Sequence, residues 1–131
     1  MNSQLFRRKN TIFTALIFLN SKRTKENYTT MTITIKKVTT KKELKKFIRF
    51  NYELYKDNPY SVPDLYDDML NTFNPKKNPA FEFCEAEYFL AYKGEEIVGR
   101  VAAIINHRAN DTWNKKEVRF GWLDFIDEEE V

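Results

Sequence analysis

A short polar turn joins two β-rich runs in the second half of the chain, and this hairpin limits the possible folds more than any other feature. Residues 87–93 (EYFLAYK) form the first run, residues 93–96 (KGEE) the turn, and residues 97–106 (IVGRVAAIIN) the second run. Two strands joined by so short a turn must pair antiparallel. The second run is apolar on both alternating faces, which predicts a central strand that is covered on both sides.

Three further segments flank this hairpin. In residues 32–38 (TITIKKV), Ile33 and Ile35 alternate with polar residues, which predicts a short strand with one buried face. Residues 118–125 (VRFGWLDF) predict another strand, and the polar residues 107–116 before it predict a loop. Residues 127–131 (DEEEV) predict the first turn of a helix, because acidic side chains suit the positive end of the helix dipole.

The segment between the first strand and the hairpin predicts two helices. Thr40 and Glu43 have the spacing of a capping box, in which the hydroxyl and the carboxylate each accept a backbone hydrogen bond. Apolar residues then recur at spacings of three and four: Leu44, Phe47, Ile48, Tyr52 and Tyr55. After the prolines at 59 and 63, Asp64 is expected to cap a shorter helix that extends to residue 73. Residues 81–83 form either one more turn or an extended lead-in. The fold class is therefore α+β, with about four antiparallel strands and two N-terminal helices.

The first thirty residues differ in charge from the rest. They hold six basic side chains and one acidic side chain, a net charge of +5, whereas residues 31–131 hold 16 basic and 18 acidic side chains. A nine-residue apolar run (11–19) is too short to span a bilayer, which needs about 18 residues. We expect residues 1–30 to be a disordered extension, or upstream sequence included by a start codon assigned before Met31. A signal or membrane-surface anchor and an ordered extra element are the alternatives.

Composition argues against several classes of function. The slightly acidic residues 31–131 lack the basic surface of a nucleic-acid-binding domain. Cys84 is the single cysteine, so no intrachain disulfide forms, and its apolar neighbours favour a half-buried thiol over a nucleophile paired with His107. One histidine and one cysteine also argue against zinc. We expect a cytoplasmic protein with no metal, nucleic-acid or membrane partner.

Three phrases of the sequence resemble a family of GNAT-like bacterial proteins of unknown substrate. They are residues 52–63 (YELYKDNPYSVP), the hairpin with FLAY at 89–92 and VGRVAAI at 98–104, and FGWLD at 120–124 before an acidic helix start. The resemblance covers residues 31–131 and identifies them as a truncated GNAT-like acyltransferase domain, the opening half of the N-acetyltransferase fold.

The resemblance implies acyl transfer from acetyl-coenzyme A, the cosubstrate of the intact family, to a small-molecule amine. The pantetheine arm would lie along residues 120–126, with Phe125 and Ile126 as cofactor-binding residues. Asp124 and Glu87 are the candidate catalytic bases, and a solvated strand residue is the alternative for Asp124. The candidate substrate-binding residues are Tyr60, Tyr66, Arg100 and Trp122. Their alternatives are helix packing for the two tyrosines, a structural ion pair for Arg100 and a place in the core for Trp122.

The segment that holds the pyrophosphate in the family differs here. Glycines normally let the backbone approach the phosphates at a helix N-terminus, but residues 127–130 (DEEE) bring four carboxylates and no glycine. Either residues beyond Val131 bind the cofactor, or the family does not bind coenzyme A in the usual way. We expect the isolated chain to be inactive, to bind no acetyl-coenzyme A, and to self-associate through an uncovered sheet face rich in Phe, Trp and Ile. A non-catalytic GNAT-derived module that binds a small molecule or a partner chain is the alternative function.

Overall fold

A computed structural model describes residues 32–129 and Val131 and confirms the α+β fold with a four-stranded antiparallel sheet. In chain order its elements are β1 (Ile33–Lys37), α1 (Lys41–Tyr55), α2 (Tyr66–Thr72), a 3-10 turn (Pro79–Glu82), β2 (Cys84–Lys93), β3 (Glu96–Asn106), α3 (His107–Thr112) and β4 (Arg119–Phe125). The predictions for residues 1–30 lie outside the described residues.

The sheet is a meander in which each strand pairs antiparallel with its neighbour in sequence, in the order β1-β2-β3-β4. The β2–β3 turn consists of Gly94 and Glu95, and Gly94 adopts a φ of 64°, which a side chain with a Cβ atom would disfavour. The hairpin prediction is confirmed. Residues 107–116, expected to be a loop, contain α3, where the Asn106 side chain accepts a hydrogen bond from the Ala109 amide at 2.8 Å.

Helix α1 begins as its sequence predicts. The Thr40 hydroxyl accepts from the Glu43 amide at 3.2 Å, and the Glu43 carboxylate accepts from the amides of Thr39 and Thr40 at 2.8 and 2.9 Å. These backbone hydrogen bonds lower the pKa of Glu43 to about 2. Helix α2 begins differently: its N-cap is Leu65, which makes no side-chain cap. The prediction that Asp64 caps this helix is therefore wrong.

The helices α1 and α2 cover one face of the sheet, which we call the covered face. Its centre is a cluster of buried apolar residues: Phe47, Ile48, Met69, Phe73, Leu90 and Ala102. The Phe73 ring meets the rings of Phe47, Tyr88 and Trp122 at centroid distances of 5.6, 5.0 and 4.8 Å. This aromatic cluster joins both helices to β2 and β4, so it positions α1 above the centre of the sheet.

On the opposite face of the sheet Phe89 is buried, at 4% exposure, and Val131 helps to line a groove. We call this face the open face, because among the described residues α1 and α2 both lie on the other side. It presents Ile35, Phe120, Leu123 and Phe125, each about half exposed or more. Two predictions are corrected here. Strand β3 is central, and among the described residues helices pack on one of its sides only. The face of β1 that carries Ile33 and Ile35 is the open one, because Ile35 lies opposite Ala91 in the register. Trp122, which was expected on an uncovered face with Phe and Ile residues, packs against Phe73 on the covered face.

Small residues shape a groove in the open face. In one row across the sheet, Ala91 and Gly99 lie on the inner strands between Ile35 on β1 and Phe125 on β4. The groove has a volume of about 120 Å³, and Val131 contributes to its lining. A Cβ atom on Gly99 would lie 3.3 Å from the Cβ of Phe125 and 3.4 Å from that of Ala91, so the glycine keeps the groove open.

Candidate functional site

A buried ion pair joins β3 and β4 on the covered face. Arg100 is only 5% exposed, and its Nε and Nη2 atoms each lie 2.7 Å from Oδ2 of Asp124, the residue directly opposite in the sheet register. Its third contact is a hydrogen bond from Nη1 to the carbonyl oxygen of Phe47 at 2.9 Å. The guanidinium also lies 5.0 Å from the centre of the Phe47 ring. Arg100 is thus paired with a carboxylate, the structural alternative stated above.

Helix α1 adds two polar side chains to this ion pair. The Asn51 side-chain amide donates to Asp124 Oδ2 at 3.2 Å, and the Tyr55 hydroxyl donates to Asp124 Oδ1 at 3.1 Å. Both carboxylate oxygens of Asp124 therefore accept hydrogen bonds. Burial, followed by the hydrogen bond to Asp124, raises the pKa of Tyr55 above its ordinary value. We call these four side chains, Arg100, Asp124, Asn51 and Tyr55, the network.

Asn51 and Tyr55 were not singled out from the sequence as members of a site. Phe47, Asn51 and Tyr55 are spaced four residues apart, so they lie along one line of the helix surface. An asparagine within an otherwise apolar helix face was the available signal, because a buried amide needs a polar partner.

Beside the network, strand β4 contains a bulge. Arg100 pairs with Asp124 and Ala102 with Gly121, so the single residue Val101 lies opposite the two residues Trp122 and Leu123. Trp122 takes up the difference with a φ of 47°, a left-handed conformation that is uncommon for residues other than glycine. Because of this extra residue, Trp122 points to the covered face and packs on Phe73, while Leu123 lines the groove of the open face.

Strand β4 has β3 as its single partner strand among the described residues, so its other edge has backbone groups available for a ligand or another chain. The Ile126 amide donates to the Val98 carbonyl oxygen at 2.9 Å and is therefore directed to β3. Successive peptide groups of a strand point to opposite edges, so the Phe125 amide points to the free edge. Of the two predicted cofactor residues, Phe125 thus has the available backbone N–H.

The remaining candidate residues lie apart from the network. Glu87 forms an ion pair with Lys37 at 2.6 Å, and its register position places it on the open face. Tyr60 is 92% exposed in the loop between α1 and α2, where Val62 and Leu65 are also exposed. Tyr66 begins α2, and its ring lies 6.2 Å from that of Tyr52. The hydroxyl of Tyr52 donates to the Asp64 carbonyl oxygen at 2.8 Å and ties this loop to α1.

A second, more open depression of about 450 Å³ lies at the other end of the hairpin, between residues 81–85 and helix α3. Its polar contact is between His107 Nε2 and Glu85 Oε1, 3.1 Å apart, and the Arg108 guanidinium lies 4.0 Å from the centre of the Phe83 ring. Within residues 32–129 and Val131, no group of three or more metal-ligating side chains comes together. The same residues contain no helix with the length and apolar character needed to cross a bilayer.

Comparison with known proteins places this chain beside parts of two longer bacterial proteins. It is 34% identical over 91 residues to the protein YghO of Escherichia coli K12, an alignment covering 70% of this chain and 23% of YghO. It is also 36% identical over 69 residues to a bacterial ceramide synthase of Caulobacter vibrioides, covering 53% of this chain and 18% of the synthase. The matched segment therefore spans about a fifth of the length of these relatives. No family model and no solved structure matches the chain.

Proposed function

We propose that this chain forms the N-terminal part of a GNAT-like N-acyltransferase, which transfers the acyl group of acetyl-coenzyme A to an amine. The observation that carries the proposal is the bulge at Trp122 and Leu123, on a strand whose second edge has no partner strand among the described residues. In acyl transfer the amine nitrogen attacks the thioester carbonyl carbon, and the carbonyl oxygen becomes an oxyanion. Backbone N–H groups that are not used by a neighbouring strand stabilise such an oxyanion.

The reaction then proceeds by loss of the thiolate. The C–S bond breaks, the amide is formed, and coenzyme A leaves as the thiol after taking up a proton. The attacking nitrogen gives its proton to a base or to water. Glu87 and Asp124 remain the candidate bases, but all contacts of Asp124 described above are with groups that hold its carboxylate in place. Water that relays the proton to solvent is therefore part of the proposal.

The ceramide synthase supports an amine acceptor with a long apolar chain. A ceramide is the amide of a long-chain amino alcohol, so its synthesis by this relative joins an acyl group to a nitrogen. In the present chain the loop after α1 exposes Tyr60, Val62 and Leu65 at 92, 91 and 73%. This loop follows Tyr55, which reaches Asp124, so it offers an apolar surface a few residues from the network.

A segment exchange tests the proposal. The segment of the Caulobacter synthase that corresponds to residues 31–131 of this chain is replaced by residues 31–131, and N-acylation of a long-chain amine by acyl-coenzyme A is followed by mass spectrometry. We expect the chimaera to form amide. A chimaera that folds with the circular dichroism and size of the parent synthase, yet forms no amide, would contradict the proposal.

The isolated 131-residue chain gives the complementary result. We expect titration calorimetry with acetyl-coenzyme A to show no saturable binding, because residues 127–130 bring four carboxylates and no glycine where the pyrophosphate would lie. Micromolar binding by the isolated chain would mean that these residues are sufficient for the cofactor site. A chimaera without activity, together with saturable binding of a small molecule by the chain, would favour the non-catalytic binding module instead.

A further inference from the structure

The network lies directly beside the bulge, and the two features depend on each other through the register of β4. From Arg119 to Gly121, β4 pairs with β3 in one register; from Asp124 to Phe125 it pairs in a register shifted by one residue. We propose that Arg100 and Asp124 are a positioning pair whose buried contact selects the shifted register and thereby keeps the bulge at Trp122 and Leu123.

The alternative register shows why the pair has this effect. If β4 continued without a bulge from the pairing of Gly121 with Ala102, Leu123 would lie opposite Arg100, and Asp124 would lie opposite Gly99. A shift of one residue moves a side chain to the other face of the sheet, so Asp124 would point to the open face. Arg100, at 5% exposure, would keep its charge in the core without a carboxylate. The bulged register avoids this uncompensated charge.

Helix α1 holds the pair in the same arrangement. The Phe47 carbonyl oxygen accepts from Arg100 at 2.9 Å, while Asn51 and Tyr55 donate to Asp124 at 3.2 and 3.1 Å. Asp124 therefore loses three partners, on two elements, if β4 slips by one residue. The left-handed conformation of Trp122 is disfavoured for an L-residue, so the bulge needs such compensating contacts.

Under this inference Asp124 acts through the strand that it positions, and it is not itself the base. The catalytic consequence of this inference rests on the proposed function, in which the bulge would supply the N–H groups that face the thioester. The register itself is measured without any substrate.

NMR spectroscopy of the full 131-residue chain tests the inference. In the bulged register Gly99 and Phe125 lie directly opposite each other as a non-hydrogen-bonded pair, between the pairs 98–126 and 100–124. The Hα atoms of such a pair are close together and give a strong cross-strand NOE. We expect this NOE in the natural chain. Two variants remove the buried Arg100 charge: Arg100→Met alone, and Arg100→Met combined with Asp124→Leu. In both we expect β4 to lose its bulge, so that the NOE from Gly99 is seen to residue 124 and no longer to residue 125. Asp124→Asn keeps a hydrogen-bond acceptor of the same size and should retain the NOE to Phe125.

The outcomes separate clearly. A folded Arg100→Met chain that retains the Gly99–Phe125 NOE would overturn the inference, and so would failure of both Arg100 variants to fold, since the pair would then be needed for folding rather than for register. Lys37→Met combined with Glu87→Leu is the matched control, because this ion pair is exposed and lies on the other side of the sheet. It should leave the NOE between Gly99 and Phe125 unchanged.

The segment exchange separates this inference from the proposed function. If both are correct, Arg100→Met in the active chimaera lowers amide formation by about 100-fold, the usual cost of losing one oxyanion donor. If the NMR register moves but the unsubstituted chimaera never forms amide, the positioning pair stands and the acyltransferase proposal fails. If the chimaera is active and Arg100→Met leaves both the register and the rate unchanged, the positioning pair fails alone.

Discussion

The two faces of the sheet have similar apolar character but differ in what they pack against. On the covered face, the Phe47 and Leu90 side chains are buried to within 1% exposure, and the ion pair of Arg100 with Asp124 is enclosed by α1. On the open face, Phe120 and Phe125 of β4 are 73 and 52% exposed, although Phe89 at its centre is 4% exposed. The side chains of the ion pair of Lys37 with Glu87 are 44 and 30% exposed. Residue type alone therefore does not determine how much a side chain contributes to stability, because the contribution depends on what covers it.

Truncation of one phenylalanine on each face should give the largest contrast. We expect Phe47→Ala to lower the free energy of unfolding by about 4 kcal/mol, because it removes a buried ring and leaves a cavity. Phe125→Ala should cost about 1 kcal/mol or less, because half of that side chain is already exposed. Urea unfolding followed by circular dichroism, at low protein concentration, measures both. Equal losses would mean that the open face is covered in solution.

The two ion pairs should differ in the same direction. Asp124→Leu leaves the Arg100 charge buried without its carboxylate, which should cost about 3 kcal/mol. Glu87→Leu breaks an exposed pair and should change stability by less than about 1 kcal/mol. The same unfolding experiment applies. If Asp124→Leu were as mild as Glu87→Leu, water or another group would have to reach Arg100 in solution.

Charge placed on the open face should reduce self-association. We expect the natural chain to form larger species as its concentration rises, since an apolar surface of this kind is sticky. Phe120→Asp combined with Phe125→Asp should shift the light-scattering mass toward the monomer. Tyr60→Asp is the control, because Tyr60 is an aromatic residue outside the open face and, at 92%, is even more exposed than Phe120 and Phe125. Dissociation by Tyr60→Asp instead would identify the loop after α1 as the sticky surface.

The smallest expected effect is at the N-terminal cap of α1, one of the two helices on the covered face. The folded pKa of Glu43 is about 2, below its ordinary value of 4.5, so its ionised form stabilises the folded chain. This contribution is fully present above pH 4.5 and is lost as the pH falls toward 2. Thermal melts across this range should show a difference between the natural chain and Glu43→Gln that disappears in acid. A difference that is constant with pH would mean that the carboxylate charge has no role in the cap.

Local patterns predicted most of the elements but not the contacts between them. The hairpin, the capping box and α1 follow from short segments, and all three are confirmed. Asp64 has the chemistry of an N-cap, but the N-cap of α2 is Leu65, and no side chain caps this helix. The alternation of Ile33 and Ile35 correctly predicts a strand, but periodicity cannot tell which face another element will cover.

The site was harder to predict because it depends on register. Arg100 and Asp124 could be named as candidates from the sequence, but their direct pairing follows only once the bulge has shifted β4 by one residue. Trp122 was grouped with the uncovered face because the bulge was not foreseen. In a strand without a bulge, Trp122 would lie on the same face as Phe120. Asn51 and Tyr55 lie more than 60 residues from Asp124 in the chain, and no local pattern relates them.

The groove of the open face affects which surfaces could fit against it. Its inner strands present Ala91 and Gly99, and its walls are Ile35 and Phe125, so the surface is a trough and not a flat sheet. A flat apolar surface would leave that trough empty, whereas a narrow ridge of side chains would fill it. The shape therefore discriminates between partners that hydrophobicity alone would treat as equal, and that discrimination depends on the missing Cβ atom of Gly99.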